Sequence, residues 1–285
     1  MIYLQLTVPF SHAFDTKYSF LRRVMISMHT ENLWLFDFDG TLSPIVPDSG
    51  TAALHPACGA MLAELVKAPL QHVAVLSSRR LDDLVGRVPV QGLFLGGVSG
   101  AKWQAPDGHR VSLSGKPAET LATVRRELLP EIAALADLPG IRVEDKMWSL
   151  ALHTRHAPDS SRECLVERLS RWNPGRRVRI FRGPEVYEIQ LVPRINKSFG
   201  VRMLCRIMEF TPASGTLFYA GDDENDALAM RFVTRLGGTA ITVGQRALIP
   251  ASMLVANPRE LADEVCRLAN LPLIFGRDAT KEERV

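Results

Sequence analysis

A continuous apolar run near the start of the chain ends in two aspartates and a glycine. The run spans residues 34–36, the carboxylates are Asp37 and Asp39, and Gly40 follows. Strands covered on both faces are continuously apolar, so the run predicts a buried strand of a parallel sheet, and Gly40 permits a sharp turn at its end. Asp37 and Asp39 then point to the same side, where two like charges raise each other's proton affinity. The pair therefore indicates a bound cation or a proton-transfer role rather than an ordinary exposed turn.

Strand and helix patterns alternate on either side of a central segment, which is the signature of a parallel sheet with helices on its faces. The predicted strands are 34–36, 73–76, 93–95, 217–220 and 240–243. The predicted helices are 56–67, one beginning near Leu81, one beginning near Lys197, 226–233 and 259–269. We therefore expect an α/β fold with a Rossmann-like parallel-sheet core and helices on both faces.

The central segment, residues 114–192, has a different rhythm. Its predicted strand pairs are 141–143 with 148–152 and 178–182 with 186–192, and its predicted helices are 117–135 and one that the capping-box pattern Ser160-x-x-Glu163 places after residue 160. Such a pattern predicts a small α+β module inserted into the sheet domain. We therefore expect an N-terminal extension (1–30), a core domain (31–113 and 193–275), an α+β cap domain (114–192) and a charged tail (276–285).

The composition argues against several classes of function. The chain has 285 residues, of which 46% are hydrophobic and 23% charged, and its formal net charge of +3 gives no case for nucleic-acid binding. No apolar run approaches the length of a membrane span. The four cysteines are scattered and form no Cys-x-x-Cys pair, so we expect reduced thiols of a cytoplasmic protein. Residues 1–30 do not have the charge order of a secretory signal, and we expect a loose extension with the true start at Met25 or Met28.

Four polar groups follow predicted strands or begin a predicted helix. They are the pair Asp37/Asp39, Ser77, Lys197 and the cluster at residues 222–226. Ligands bind outside the carboxyl ends of the strands in open parallel sheets, so we expect these groups to meet in one crevice. Each group alone has a simpler interpretation as a turn serine, a solvated helix-end lysine or a helix N-cap. All four together, in this order, indicate one active site.

This set of residues suits phosphoryl transfer. An aspartate can attack phosphorus to form an aspartyl-phosphate, and we assign the nucleophile to Asp37 and the general acid and base to Asp39. A magnesium ion held by Asp37, Asp222 and the backbone carbonyl of Asp39 would neutralise the anions that meet there. Lys197 would add a second positive charge against the phosphate, and Ser77 would donate a hydrogen bond to a phosphate oxygen.

The same residues resemble the four motifs of the haloacid-dehalogenase-like superfamily of phosphatases. The segment 37–41 resembles the first motif, Ser77 the second, Lys197 the third, and residues 221–226 the fourth. The resemblance implies magnesium as the cofactor. The supporting residues that it implies are Gly40, Thr41, Arg79, Asp223 and Asp226. The module at 114–192 lies between the second and third motifs, and this position resembles the branch of the superfamily that acts mostly on small phosphorylated sugars.

Within this branch the chain is similar to trehalose-6-phosphate phosphatases. Residues 37–45 resemble the opening of that family, and residues 144–155 resemble its cap signature. The resemblance implies a small-molecule sugar phosphate, trehalose 6-phosphate, as the substrate, and a trehalose-6-phosphate synthase of the same pathway as a partner. It also implies a set of substrate-binding residues in the cap, whose charged groups make strong hydrogen bonds to sugar hydroxyls. These residues are Lys146, Glu188, Glu144, His153 and Arg155.

The chain departs from that family's pattern at several positions around the expected sugar site. Residues 98–102 lack the usual histidine and acidic residue, Gln190 replaces a basic residue, Ser198 replaces a glycine and Ala227 replaces a glutamate. A phosphatase of another sugar phosphate, of the sucrose phosphate or glycosyl-phosphoglycerate type, therefore remains an alternative. A non-catalytic sugar-phosphate sensor is a third interpretation, but a sensor would not need the acid and base at Asp39.

Overall fold

Two β-sheets organise the part of the chain that the computed structural model describes, which is residues 31–175, 178–183 and 185–273. The strands are β1 (Glu31–Phe36), β2 (Gln71–Leu76), β3 (Phe94–Gly97), β4 (Lys102–Gln104), β5 (Arg110–Ser112), β6 (Arg142–Asp145), β7 (Ser149–His153), β8 (Arg179–Arg182), β9 (Val186–Gln190), β10 (Gly215–Gly221), β11 (Thr239–Val243) and β12 (Ser252–Val255). The helices are α1 (Pro56–Lys67), α2 (Leu81–Arg87), α3 (Lys116–Leu135), α4 (Asp159–Arg171), α5 (Lys197–Ile207), α6 (Glu224–Arg235) and α7 (Pro258–Leu268). None of these helices is long and apolar enough to cross a membrane. The expectations for residues 1–30 and 276–285 lie outside the described residues.

The larger sheet has eight strands in the order β12-β11-β10-β1-β2-β3-β4-β5. The six strands from β12 to β3 are parallel, and β4 and β5 form an antiparallel edge. This arrangement confirms the expected α/β fold with a parallel-sheet core. The sequence did not predict β4, β5 or β12, because strands of three or four partly exposed residues are too short to show a period.

Two apolar layers cover the two faces of the parallel sheet. Trp34 and Phe36 face one layer, which includes α1 and α7, whereas Leu33 and Leu35 face the other, which includes α5 and α6. Successive side chains of a strand point to opposite faces, so burial on both sides requires the continuous apolar run that the sequence shows. The run therefore places the carboxyl end of β1 in the middle of the sheet.

The smaller sheet is antiparallel, with the strand order β6-β7-β9-β8. One of its faces packs on α3 and α4 through a separate apolar cluster that includes Leu150, Leu152 and Ile189. Glu144 and Glu188 both lie in register with Ala151 on the strand between them, so their side chains share the opposite face of the sheet. This face is therefore polar. This sheet and its two helices form the α+β module that the sequence predicts.

Helix α4 begins two residues earlier than its capping pattern predicts. Its N-cap is Pro158, which offers no side-chain hydrogen bond, so the capping-box prediction for Ser160 is wrong and Ser160 lies inside the helix. Asp159 at the first helical position supplies the negative charge that the positive end of the helix dipole favours.

Candidate active site

The carboxyl ends of two adjacent strands place Asp37 and Asp222 side by side. Asp37 directly follows β1, where its backbone N–H donates to the carbonyl of Ala220 on β10 at 2.9 Å, and Asp222 directly follows β10. Carboxylate oxygens of Asp37, Asp222 and Asp226 lie within 4.8 Å of one another. Burial raises the pKa of Asp37 well above its ordinary value, and this effect outweighs the opposing charge of Lys197.

Gly40 allows the first loop to approach Asp222 closely. Its φ is +78°, and a Cβ atom built on it would lie 2.0 Å from Oδ2 of Asp222. A side chain at this position would therefore meet both backbone strain and a direct clash. The hydroxyl of Thr41, the next residue, donates to Oδ1 of Asp222 at 3.5 Å, a long hydrogen bond.

Lys197 supplies a buried positive charge between two carboxylates. It is the first residue of α5, its Nζ lies 2.7 Å from Oδ1 of Asp37 and 2.6 Å from Oδ1 of Asp226, and its side chain is 2% exposed. Burial alone would lower the pKa of Lys197, but Asp226 and Asp37 raise it well above its ordinary value. The lysine is therefore held charged beside Asp37.

Asp226 positions the other groups of the site. Its Oδ1 accepts hydrogen bonds from Nζ of Lys197 and from the hydroxyl of Tyr219, both at 2.6 Å. Its Oδ2 accepts the backbone N–H groups of Asp222 at 3.1 Å and of Asp223 at 3.2 Å. Both oxygens are thus already occupied by protein donors. Asp226 accordingly fixes the lysine and the loop that carries Asp222, and it does not need a cation of its own.

Asp223 has the structural role that the simpler interpretation assigned to it. It is the N-cap of α6, its Oδ1 accepts the backbone N–H of Asp226 at 2.9 Å, and Asp226 returns the bond in a capping box. The hydroxyl of Tyr219 completes this network, although Tyr219 was not among the predicted site residues. A buried tyrosine hydroxyl normally finds a partner, and that general rule is the one sequence signal for it.

Asp37 and Asp222 have the oxygen ligands that a divalent metal ion requires. Burial raises the pKa of Asp222 to about 8, with neighbouring carboxylates adding to the effect. A raised pKa means that the carboxyl group of Asp222 keeps its proton to a higher pH. A bound dication would replace this proton, since hard cations bind ionised carboxylates. The acidic cluster therefore fits a divalent metal site, with the backbone carbonyl of Asp39 as the third ligand that the sequence analysis proposes.

Ser77 and Arg79 follow the next strand, β2, and face the same edge of the sheet. Ser77 is 1% exposed, and its backbone N–H donates to the carbonyl of Gly96 at 2.8 Å. Arg79 forms a paired contact with Asp39, in which Nε lies 2.7 Å from Oδ2 and Nη2 lies 2.6 Å from Oδ1. It also donates to Asp83 at 2.8 Å, a contact that the sequence analysis did not predict.

The polar face of the cap sheet holds most of the expected sugar-binding residues as pairs. Lys146 lies 3.4 Å from Glu188, whose other oxygen accepts the hydroxyl of Ser149 at 3.0 Å. His153 contacts Glu144 at 3.0 Å. A further expected residue, Arg155, is set apart from these groups because it lies beyond the end of β7 and pairs with Glu185 instead.

The cap sheet lies close enough to the loop that carries Asp39 for charges of the core to act on it. Burial lowers the pKa of Lys146, but Glu188, Glu144 and Asp39 of the core together raise it. A direct ion pair also joins the cap sheet to a helix of the core, between Arg179 of β8 and Glu224 at the start of α6, at 3.8 Å. The cap sheet therefore presents its polar face to the region of Asp39.

Comparison with known proteins assigns this arrangement to a family. The family model described as trehalose-phosphatase matches residues 35–247, which include all four motifs. The chain belongs to the trehalose-phosphatase family. A trehalose-phosphate phosphatase of Mycobacterium tuberculosis is 32% identical over 197 residues, and one of Mycolicibacterium paratuberculosis is 35% identical over 200 residues. Each match covers 67% of this chain and 48% of the relative, so the chain spans about half the length of these relatives.

Solved structures with the same fold include a trehalose-6-phosphate phosphatase domain and a haloacid dehalogenase-like hydrolase. The C-terminal domain of C. albicans trehalose-6-phosphate phosphatase matches with a TM-score of 0.64 and 19% identity, over 85% of this chain and 93% of that chain. A haloacid dehalogenase-like hydrolase from Bacteroides thetaiotaomicron matches with a TM-score of 0.59 and 15% identity, over 84% of this chain and 99% of that chain. These likenesses support the haloacid dehalogenase-like fold of this trehalose-phosphatase family member.

One departure of this family member from the usual pattern has a structural role in the second motif. Val98 and Ser99 have φ values of 53° and 54°, a left-handed conformation that is rare for a β-branched residue. The N–H of Val98 donates to the carbonyl of Arg79 at 2.7 Å, and that of Ser99 to the carbonyl of Ser77 at 2.9 Å. The turn at residues 98–100 thus fixes the backbone of both Ser77 and Arg79.

Proposed function

We propose that this chain is a magnesium-dependent phosphatase that hydrolyses trehalose 6-phosphate to trehalose and phosphate. The observation that carries the proposal is the ion pair of Lys197 with Asp37 beside Asp222 at the carboxyl edge of the sheet. A nucleophilic carboxylate, a fixed positive charge and a pair of metal-ligand carboxylates are together the parts that transfer of a phosphoryl group requires.

In the proposed first step, the carboxylate of Asp37 attacks phosphorus and the bond from phosphorus to the sugar oxygen breaks. Asp39 gives a proton to that oxygen as trehalose leaves. Asp39 then takes a proton from water, which attacks the aspartyl-phosphate and releases inorganic phosphate. Lys197 is already charged and already within hydrogen-bond distance of Asp37, so it stabilises the phosphoryl oxygens without rearrangement.

A magnesium ion would be held by Asp37, Asp222 and the backbone carbonyl of Asp39. When bound, it would neutralise the negative charge of the phosphate and of the carboxylates that approach it. Ser77 is buried at the same edge, and we propose that its hydroxyl donates to a phosphate oxygen. We propose supporting roles for Gly40, Thr41, Arg79, Asp223 and Asp226 through the contacts described above.

Residues 114–192 act in this proposal as a cap that binds the sugar. Lys146 and Glu188 form an ion pair on the polar face of the cap sheet. When the sugar binds, each charged group can form hydrogen bonds to sugar hydroxyls in place of its contact with the other. A cap over the core would also exclude water from the active site. The printed names of the bacterial relatives, trehalose-phosphate phosphatase, support this choice of sugar.

We also propose a cytoplasmic location and a trehalose-6-phosphate synthase as the partner that supplies the substrate. The scattered free cysteines support the location, since disulfides are rare in that compartment.

The test is a phosphate-release assay with trehalose 6-phosphate, sucrose phosphate and a glycosyl-phosphoglycerate, each with and without magnesium. The proposal expects the highest kcat/KM for trehalose 6-phosphate and no release in excess chelator. Faster release from another sugar phosphate would overturn the substrate. Binding of trehalose 6-phosphate without release of phosphate would favour the sensor interpretation.

A further inference from the structure

A cavity of about 330 Å³ opens at the opposite end of the core sheet from the catalytic residues. It is lined by residues 215–217 at the start of β10, by the second half of α5 and by the end of α6. Asp222 follows the other end of β10, about 23 Å away at 3.3 Å per residue. The cavity is therefore separate from the active site, although β10, α5 and α6 reach both.

Arginine side chains meet at this cavity. Arg202 and Arg206 both line it and lie one turn apart on α5, and Arg235 at the end of α6 is close enough to affect Arg202. Burial lowers the pKa of Arg202, and the charges of Arg206 and Arg235 lower it further. Like charges one turn apart destabilise a helix, so the cluster carries a cost that a bound anion would remove.

Carboxylates do not compensate this cluster within the described part of the chain. Neither Asp nor Glu is among the residues that line the cavity. Arg202 and Arg206 also have no ion pair with a described carboxylate, whereas arginines elsewhere in the chain, such as Arg87 and Arg125, do pair with one. The cavity is thus a concave surface with uncompensated positive charge.

Two aromatic rings contribute to the apolar part of the wall. The guanidinium carbon of Arg202 lies 5.2 Å from the ring centre of Phe232, a cation–π contact, and Phe210 lines the cavity as well. A ligand here would meet guanidinium groups and aromatic surface together, which is how ligand pockets combine orientation with apolar contact.

A simpler interpretation explains part of the cluster. Arg206 and Arg235 lie in the last turns of their helices, where a positive charge interacts favourably with the helix dipole. That interpretation does not explain why both approach Arg202, which is not in a last turn, or why their shared surface is concave and lacks carboxylates. A bound anion accounts for all three observations.

We propose that this cavity binds a phosphate monoester that carries a planar ring, of the size and class of a purine mononucleotide. The planar forks of Arg202 and Arg206 match the oxygens of a phosphate group, and the ring would pack against Phe232 and Phe210. The proposal does not depend on the phosphatase activity proposed above.

The test is calorimetric titration of the metal-free full chain with adenosine monophosphate and, separately, with inorganic phosphate. The cavity variant and its control have the same active site, so any binding there contributes equally to both and does not obscure the cavity. The cavity variant is Arg202→Gln/Arg206→Gln, and the matched control is Arg126→Gln/Arg246→Gln, which removes the same charge from exposed positions away from the cavity. We expect the cavity variant to weaken adenosine monophosphate binding by at least about tenfold and the control to leave it unchanged.

A second variant, Phe232→Leu, tests the ring contact. We expect it to weaken binding of adenosine monophosphate while leaving the affinity for inorganic phosphate unchanged. Circular dichroism checks the fold of each variant, and the single variant Arg206→Gln, at an exposed position, replaces the double variant if that one does not fold. Equal affinities in the cavity variant and its control, or no binding of either probe by the wild type, would overturn the proposal.

Discussion

Arg79 holds both carboxylate oxygens of Asp39, at 2.7 Å and 2.6 Å. The same guanidinium donates to Asp83 and to the backbone carbonyl of Ser49, so it is fixed on the core side of the cleft. The residue proposed as acid and base is therefore oriented by the second motif.

Removing this arginine should slow catalysis more than it weakens substrate binding. We expect Arg79→Gln to lower kcat for trehalose 6-phosphate by about 10- to 100-fold, a part of the usual contribution of acid–base catalysis, with a smaller change in KM. Arg79→Lys should be intermediate, because lysine keeps the charge but cannot form the paired contact. The matched control is Arg110→Gln, which breaks an exposed ion pair with Asp82 and a hydrogen bond to Gln104, both away from Asp39. A wild-type kcat in Arg79→Gln would contradict the positioning role.

Asp226 should be more sensitive to loss of charge than its neighbour in the capping box. Asp226 now accepts hydrogen bonds from N–H and O–H donors at both oxygens, and in Asp226→Asn the amide N–H₂ group would face one set of these donors without being able to accept from them. We therefore expect the unfolding free energy to fall by about 2–4 kcal/mol and most of the activity to be lost. Asp223→Asn is the control, since asparagine caps a helix as well as aspartate does. Denaturant unfolding measures both variants, and equal losses would contradict the assignment of the buried network to Asp226.

The four motifs could be predicted because each is a local pattern at a strand end or a helix start. The apolar run before Asp37 required a buried parallel strand, and the order of the other motifs then placed Ser77, Lys197 and Asp222 at the same edge. The partners of Asp226 could not be predicted in the same way. Tyr219 looks in the sequence like any other residue of a buried strand, and only the tertiary packing turns its hydroxyl toward a carboxylate.

The fold was predictable wherever elements were long enough to show a period. Helix 56–67 has the predicted bounds, whereas the short strands β4, β5 and β12 have three or four residues and too little pattern. The cap residues illustrate a different limit. Their strands were predictable, but whether Arg155 joins Glu188 or Glu185 depends on which end of the sheet it occupies, and spacing alone does not determine that.

The metal-free protein should lose stability as the pH rises toward the pKa of Asp222, which is about 8 in the folded protein. Because this pKa lies above the value of an unfolded aspartate, about 4, the folded state binds more protons in the range between them, and unfolding free energy falls with rising pH. A magnesium ion removes this cost. We therefore expect magnesium to raise the melting temperature more at about pH 8 than at about pH 6.

Calorimetric melting of the wild type and of Asp222→Asn checks this pH dependence. The substitution removes the titrating group, so the pH dependence of the magnesium effect should shrink. An equal effect of magnesium at both pH values in the wild type would contradict the proposed metal site.

The pair of Lys146 and Glu188 should affect sugar binding without affecting the chemical step. We expect Lys146→Met and Glu188→Gln to raise KM for trehalose 6-phosphate by at least about tenfold, because each removes charged hydrogen bonds to hydroxyls. Hydrolysis of p-nitrophenyl phosphate, which has no sugar, should change little. The control is Arg182→Gln, another charged residue of the cap. Arg182 contacts the ring of Tyr187 instead of Lys146 or Glu188. Equal losses with both substrates would contradict the sugar-binding role.

Asp37, the proposed nucleophile, should form a covalent bond to the phosphoryl group during turnover. The direct measurement is acid quench of the enzyme during turnover of radiolabelled trehalose 6-phosphate, followed by mapping of the labelled peptide. We expect label on the peptide that contains Asp37 in the wild type, and neither label nor phosphate release in Asp37→Asn. Phosphate release by Asp37→Asn at the wild-type rate would contradict the role of Asp37 as the nucleophile.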